Sequence, residues 1–219
     1  MSQIVITGAN RGIGLALTRL YSAQGHQVLS ACRQSSEALQ KTQTEIYAGL
    51  ELTSDASVKA LGDYLGERKI DILIENAGIL KTETWGNLDF AAIREQFEVN
   101  ALAPLRLTQA LSANLKEGSK VVLITSRMGS LGDNSSGAYY GYRMSKAALN
   151  MAGINLAKDL QPRGIAVFII HPGMVATEMT GGQGIAVEKA AEMLVKRIEV
   201  LTLRDSGGFF HANGEILPW

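Results

Sequence analysis

The 219-residue sequence predicts a single doubly wound α/β domain, and three observations predict it. A glycine-rich turn follows directly on a short apolar strand near the start of the chain. Strand-like and helix-like segments then alternate along its length, the pattern of βαβ units and a parallel sheet. Several strands are continuous apolar runs without alternation, as required where helices cover both faces of a sheet.

The elements follow in order. Residues 3–7 form an apolar strand, and the glycine turn occupies 8–14. Ile13, Leu15, Ala16, Leu17, Leu20 and Tyr21 then recur at helical spacing until Gly25. A strand over 28–31 and a weaker one over 45–48 come next. The helix over 55–66 carries Val58, Leu61 and Leu65 on one face. Residues 70–74 are a buried strand, 90–115 one long helical stretch, and 121–125 a further buried strand. A helix over 140–160, a strand over 165–170, a helix over 187–203 and a short strand over 208–211 complete the chain. Seven strands with helices between them give a Rossmann-type, seven-stranded, mostly parallel sheet.

Composition sets the outer limits. The chain is 46 % hydrophobic and 19 % charged with a formal net charge of zero, which suits one globular domain over 1–219 with a large core. The neutral balance, without basic blocks, argues against nucleic acid or an anionic membrane as the main partner. A single cysteine, Cys32, rules out an intrachain disulfide and a cysteine-based zinc site, and no metal site is expected. Residues 1–7 read as a strand and not as a signal peptide, and no apolar run approaches the length of a membrane span. A cytoplasmic protein is the expectation.

Two constellations carry chemistry. The turn Thr7-Gly8-Ala9-Asn10-Arg11-Gly12-Ile13-Gly14 places glycines where a backbone must approach a pyrophosphate closely. The helix that follows offers free N–H groups and the positive end of its dipole. Tyr142 and Lys146 stand four residues apart in Tyr142-Arg143-Met144-Ser145-Lys146, so on a helix they share a face. An ammonium beside a phenol lowers the phenol's pKa, and a phenol tuned in this way exchanges protons with a substrate oxygen near neutral pH. Alone, such a pair is common on amphipathic helices.

Together, T-G-x-x-x-G-x-G and Y-x-x-x-K resemble the short-chain dehydrogenase/reductase family. Further landmarks of that family fall in register: Asn76-Ala77-Gly78 after the fourth strand, Asn100 in the long helix and Ser126 at the end of the fifth strand. Pro172-Gly173 follows the sixth strand, with Thr177 completing P-G-x-x-x-T. The segment from Gly137 to Lys146 is similar to the small carbonyl-reductase-like branch, which includes sniffer-type reductases and C-factor-like proteins. The resemblance implies a tetrad of Asn100, Ser126, Tyr142 and Lys146. It gives Ser126 the task of binding a carbonyl oxygen and Tyr142 that of protonating it. Lys146 would hold the nicotinamide ribose and lower the Tyr142 pKa, and Asn100 would fix a water in the proton relay. Thr125 and Ser130 are near alternatives to Ser126. The implied cofactor-binding residues are Gly8, Asn10, Arg11, Gly12, Ile13, Gly14, Arg33, Glu51, Leu52, Asn76, Ala77, Gly78, Tyr142, Lys146, Pro172, Gly173, Val175 and Thr177.

NAD-preferring sites place an acid at the end of the second strand, where this chain has Ala31-Cys32-Arg33-Gln34. Arg33 and Arg11 could instead hold a 2′-phosphate, which favours NADP(H). Glu75 stands where the family has a second asparagine, and Glu51 replaces the usual aspartate before Leu52. The 127–141 loop is somewhat long, and the 177–187 segment, where the family carries its substrate lid, is short, which predicts a reduced and flexible lid. Leu80, Trp85, Met128, Leu131, Tyr139, Met174 and Met179 are candidates for an apolar pocket, and His171 reads as structural. The expected activity is NADPH-dependent reduction of a small aldehyde, ketone or quinone. A C-factor-like signalling protein with little turnover is the alternative, and a nucleotide-sugar epimerase is disfavoured by its different glycine spacing. Apolar residues around most of the 140–160 helix predict a homodimer or homotetramer built on that helix and on 90–115.

Overall fold

The computed structural model describes residues 1–219. The strands are β1 (Gln3–Thr7), β2 (Gln27–Cys32), β3 (Glu45–Ala48), β4 (Ile70–Glu75), β5 (Leu115–Ile124), β6 (Ala166–His171) and β7 (Phe209–His211). They form one sheet in the order β3-β2-β1-β4-β5-β6-β7, and every neighbouring pair runs parallel. The strand order reverses between β1 and β4, which opens a crevice beyond their carboxyl ends.

The helices are α1 (Gly12–Ala23), the single turn α2 (Glu37–Gln40), α3 (Asp55–Leu65), α4 (Phe90–Phe97), α5 (Ala103–Ala110), α6 (Tyr140–Leu160) and α7 (Val187–Val200). Alternate strand residues face opposite ways, so the apolar runs feed two cores. Ile4, Ile6, Ile74, Val122, Phe168 and Ile170 pack beneath Leu17 and Tyr21 of α1 and Leu194 and Ile198 of α7. Val5, Leu73, Val121, Leu123, Val167 and Ile169 pack on Leu61 of α3, Leu107 of α5 and Leu149 of α6. Burial of one such side chain contributes about 1.5–3 kcal/mol, which is why runs without alternation mark these strands.

Two expectations change. The helix expected over 90–115 is broken into α4, a π-helical turn over Glu98–Leu102, α5, and a 3-10 turn over Ser112–Asn114. Pro104 explains the break, because it has no N–H to return to the Asn100 carbonyl four residues earlier. The fifth strand begins at Leu115 and not at residue 121. Lys116-Glu117-Gly118-Ser119-Lys120 is polar, yet it belongs to the strand: Gly118 adopts φ 84° and the pairing with β4 slips there, between Ile70 and Ile72. The Ser119 hydroxyl donates to the Ile70 carbonyl at 2.6 Å across that irregularity.

The free edge of β7 is covered by the chain itself. After His211 the backbone turns, so that His211 N–H donates to the Glu215 carbonyl at 2.8 Å and Leu217 N–H to the Phe209 carbonyl at 2.9 Å. Trp219 stacks on Phe209 with ring centroids 5.3 Å apart. At the opposite edge β3 is four residues long, and Glu45 there accepts from Arg68 at 2.8 Å and from the Tyr64 hydroxyl at 2.7 Å.

Candidate active site

The glycine turn is cut to fit its neighbours. A Cβ on Gly14 would lie 2.3 Å from the Gly8 carbonyl oxygen, and Gly8 and Gly12 adopt φ 64° and 52°. Thr7 ties the turn to the fourth strand: its hydroxyl accepts the Asn76 and Ala77 N–H groups at 3.1 and 3.2 Å. The Asn76 amide returns bonds to the Thr7 and Gly8 carbonyls at 3.0 and 3.3 Å. A Cβ on Gly12 would meet the Thr177 methyl at 3.4 Å, so the turn, Asn76–Gly78 and Thr177 line one cleft.

The start of α1 is dressed for an anion. Ser36, Ser54 and Asp89 cap α2, α3 and α4 with their side chains. Arg11, at the head of α1, makes no side-chain cap bond, as is also true of the residues heading α5, α6 and α7, and no acid lies in the first turn of α1. Unpaired N–H groups and an uncompensated dipole end fit a pyrophosphate. This cradle passes the test that a dinucleotide sets.

The tetrad residues gather at the carboxyl ends of β4 and β5. Asn100 lies in the π-helical turn and is fully buried, and its Oδ1 accepts the Ile79 N–H at 2.8 Å. Its Nδ2 donates to the Ile79 carbonyl at 2.8 Å and to the Ser145 hydroxyl at 3.0 Å. The amide is therefore a brace between the segment after β4 and α6. A Cβ on Gly78 would lie 3.2 Å from Asn100 Oδ1 and 3.7 Å from Lys146 Nζ, which places the cleft beside both.

The three serine and threonine candidates separate cleanly. Thr125 donates to Asn150 Oδ1 at 2.7 Å and is spent on α6. Ser130 accepts the Asp133 N–H at 3.0 Å and shapes the following loop. Ser126 accepts the Met128 N–H at 3.1 Å, which leaves its own hydrogen free to donate, and its hydroxyl acts to lower the Tyr142 pKa.

The electrostatics overturn one expectation. Burial pushes the Tyr142 phenol above its ordinary pKa, and the Ser126 hydroxyl opposes that only in part. The Lys146 Nζ donates to the Ile124 carbonyl at 3.0 Å and stands 5.9 Å from the Tyr142 ring centroid, so burial sets the net direction of the Tyr142 shift. Burial also brings the Lys146 ammonium down to about 8. His171, edge-on to His211 with centroids 5.0 Å apart, is held neutral at about 3. Burial is the main cause, with His211, Arg127 and Lys146 adding repulsion.

Other predicted residues lie farther out. Arg33 is exposed at the end of β2, and Arg11 is occupied by an exposed ion pair with Glu178. Glu51 turns back on itself, its carboxylate accepting from the Thr53 hydroxyl at 2.9 Å, while the Leu52 carbonyl accepts from Arg106 at 3.2 Å. Asn10 holds the Ser36 hydroxyl at 2.7 Å through its carbonyl, and Val175 is buried. The 177–187 segment is short as expected but tied down. Val175 bridges Ile185, and the Thr180 hydroxyl donates to the Val175 carbonyl at 2.6 Å.

Two of the seven pocket candidates share a cavity. Met128 and Leu131 line a cavity of about 280 Å³ with Tyr140, Arg143, Met144 and Ala147. Tyr140, Met144 and Ala147 lie on the far side of α6 from Tyr142 and Lys146, with Arg143 at its flank. Trp85 is exposed against Tyr140, with centroids 6.4 Å apart, and Met174 and Met179 are exposed on the loop after β6. Leu80 and Tyr139 are half-buried.

The family model for short chain dehydrogenases matches residues 2–198. The chain belongs to the short-chain dehydrogenase family. A relative from Rhodococcus sp. (strain AD45), 1-hydroxy-2-glutathionyl-2-methyl-3-butene dehydrogenase, is 41 % identical over 226 residues that span both chains in full. The C-signal protein of Myxococcus xanthus is 40 % identical over 156 residues, covering 68 % of this short-chain dehydrogenase and 93 % of its own length. Among solved structures, an NADPH-bound carbonyl reductase from chicken fatty liver superposes with a TM-score of 0.91 at 30 % identity, covering 100 % of this chain and 99 % of the other.

Sequence patterns missed three buried polar residues of this short-chain dehydrogenase: Glu83, Gln96 and Ser145. None belongs to a motif, and a charge in a polar loop such as Thr82-Glu83-Thr84 ordinarily lies in water. Glu75 is fully buried beneath the Asn76 turn and accepts the Thr108 hydroxyl at 2.6 Å. Its second oxygen has no partner, and burial lifts its pKa well above the usual carboxylate value. A raised folded-state pKa means stability that is full below the unfolded value of 4.5 and declines as pH rises above it. Glu75→Gln keeps the acceptor and removes the ionisation. Its melting temperature should therefore match the parent's near pH 4.5 and exceed it increasingly toward pH 8. A difference that stays flat with pH, followed by scanning calorimetry, refutes the assignment.

Proposed function

We propose that this protein reduces a small carbonyl compound, an aldehyde, ketone or quinone, to the alcohol at the expense of NADPH. The observation that carries the reading is that Ser126, Tyr142 and Lys146 are all buried, with Lys146 Nζ 5.9 Å from the Tyr142 ring and close to Gly78 beside Asn100. The bound nicotinamide supplies a hydride to the carbonyl carbon. Ser126 donates its free hydrogen to the carbonyl oxygen, where negative charge develops. Tyr142 then releases its proton to that oxygen as the C=O π pair becomes an O–H bond, and a phenolate remains. Burial holds Tyr142 as the neutral phenol, the form that a proton donor requires. Lys146, brought down to about 8, would stabilise the phenolate and would hold the nicotinamide ribose. The Asn100 side chain is spent on Ile79 and Ser145, so fixing a relay water would fall to its main-chain carbonyl, which has no i+4 donor because residue 104 is a proline.

NADP(H) is supported by the exposed Arg33, by the absence of an acid after β2, and by the NADPH-bound neighbour. The match to C-signal supports a second reading, a cofactor-binding regulator with little turnover. NADPH oxidation against a panel of carbonyls separates the two readings. A cytoplasmic location belongs to the proposal; what the structure contains is no helix long and apolar enough to cross a membrane. We further infer a homodimer or homotetramer, because Leu102 and Leu105 near α5 and Met144 and Met151 on α6 are exposed.

Tyr142→Phe loses only the hydroxyl, so turnover should fall by about a thousandfold or more while NADPH still binds. Activity within a few-fold of the parent would remove Tyr142 as the donor. Arg33→Asp replaces a charge partner of the 2′-phosphate by a repulsive one. Its KM for NADPH should rise by about tenfold or more, with NADH unchanged or improved. A retained NADPH preference shows that Arg33 makes no such contact. Sedimentation should show species larger than 23.5 kDa at micromolar concentration, and a sole 23.5 kDa species refutes the assembly.

A further inference from the structure

One buried carboxylate takes no part in the chemistry above. Glu83 lies in the loop between β4 and α4 and is 2 % exposed. Its Oε1 accepts from Gln96 Nε2 at 2.6 Å, and its Oε2 accepts the Gly141 N–H at 3.2 Å, in the first turn of α6. Its main-chain carbonyl accepts the Tyr139 N–H at 2.8 Å. Gln96 cannot turn its amide over without loss, because its Oε1 already accepts the Lys81 N–H at 2.9 Å.

The segment that Glu83 grips is the strained one. Ala138 and Tyr139 adopt φ 55° and 51°, a left-handed conformation that side chains rarely take. Left-handed residues persist only where their surroundings over-determine them. Tyr139 is the N-cap of α6 and makes no side-chain cap bond, so Glu83 supplies from another loop what the helix start lacks. The fit leaves no slack: a Cβ on Gly141 would lie 2.4 Å from Gln96 Nε2 and 3.0 Å from Glu83 Oε1. Gly141 and Ser145 are one turn apart, on the strip of α6 beside Tyr142 and Lys146. Asn100 holds that strip at Ser145 and Glu83 holds it at Gly141.

We propose that Glu83 is a positioning residue for Tyr142. Its carboxylate fixes the rotation and height of the first turn of α6 and so aims the phenol at the substrate oxygen. The proposal rests on Tyr142 as proton donor. It gives Gln96 a share in the reaction without contact to substrate, and it explains why position 141 holds a glycine one residue before the phenol.

The test is a charge swap, read in kcat and KM separately. Glu83→Gln puts an amide between two donors, the Gln96 NH2 and the Gly141 N–H, so one bond must break in either orientation. Glu83→Gln combined with Gln96→Glu restores every bond. The new amide donates to the new carboxylate and accepts from Gly141, while the carboxylate accepts from Lys81. The single variant should lose about tenfold or more in kcat, with its KM for NADPH within about twofold of the parent. The swap should recover kcat to within about threefold. The proposal is overturned if the single variant keeps kcat within about twofold, if the swap is no more active than the single variant, or if the KM for NADPH rises as much as kcat falls. NADPH fluorescence on binding reports whether each variant is folded. Should Glu83→Gln fail to fold, Gly141→Ala displaces the same carboxylate and is judged by the same kcat and KM outcomes. Tyr142→Phe, assayed alongside, separates the two failures. If it stays active the donor assignment falls, whereas an inactive Tyr142→Phe with a fully active Glu83→Gln overturns only the positioning role.

Discussion

The amide of Asn100 is the joint on which this site turns. One side chain closes two bonds on the Ile79 backbone and a third on Ser145, wholly out of water. Buried polar networks stabilise only when every member is satisfied, and a half-satisfied one is worse than none. Satisfied as it is here, the joint fixes the segment after β4, the π-helical turn and α6 relative to one another. The glycine cradle reaches the same joint through Thr7 and Asn76. Cofactor cradle and proton donor thus share a frame built from backbone and small polar groups, with no long side chain whose motion would blur it.

The parts of the fold that were legible in the sequence are those governed by local rules. The glycine turn is visible because Gly14 has no room for a Cβ against Gly8, and such crowding leaves only one residue type. The strands are visible because both faces of the sheet are covered, so Ile70–Glu75 and Ala166–His171 carry long apolar runs. Spacing alone put Tyr142 and Lys146 on one face of α6, as found. What escaped is decided by neighbours distant in sequence. The π-helical turn hides inside a helical pattern, although Pro104 in that pattern is its trace. The early start of β5 is hidden by polar residues that a slipped register accommodates. Glu83 and Gln96 look like surface residues until α4 and α6 close over them.

Desolvation, more than any pairwise charge, sets the tone of the site. Tyr142 is driven up, Lys146 and His171 are driven down, and burial is the first cause in each case. Tyr142 and His171 rest in their neutral forms, while Lys146, brought down to about 8, still carries its charge at neutral pH. Fixed dipoles then act at short range in a medium that screens poorly. A residue with no role in proton transfer can still matter greatly there, because an error in aim is not averaged out by solvent.

The way the chain finishes its sheet bears on behaviour in crowded solution. An unpaired strand edge is a template on which another molecule's strand can nucleate. The β7 side offers no such template, since residues 215–217 already occupy its hydrogen-bonding groups from the outside and Trp219 lies against Phe209. The β3 side is short and carries a carboxylate bound to an arginine, a poor landing site for an apolar strand. Growth of the sheet by edge-to-edge addition is closed off at the β7 end and disfavoured at the β3 end.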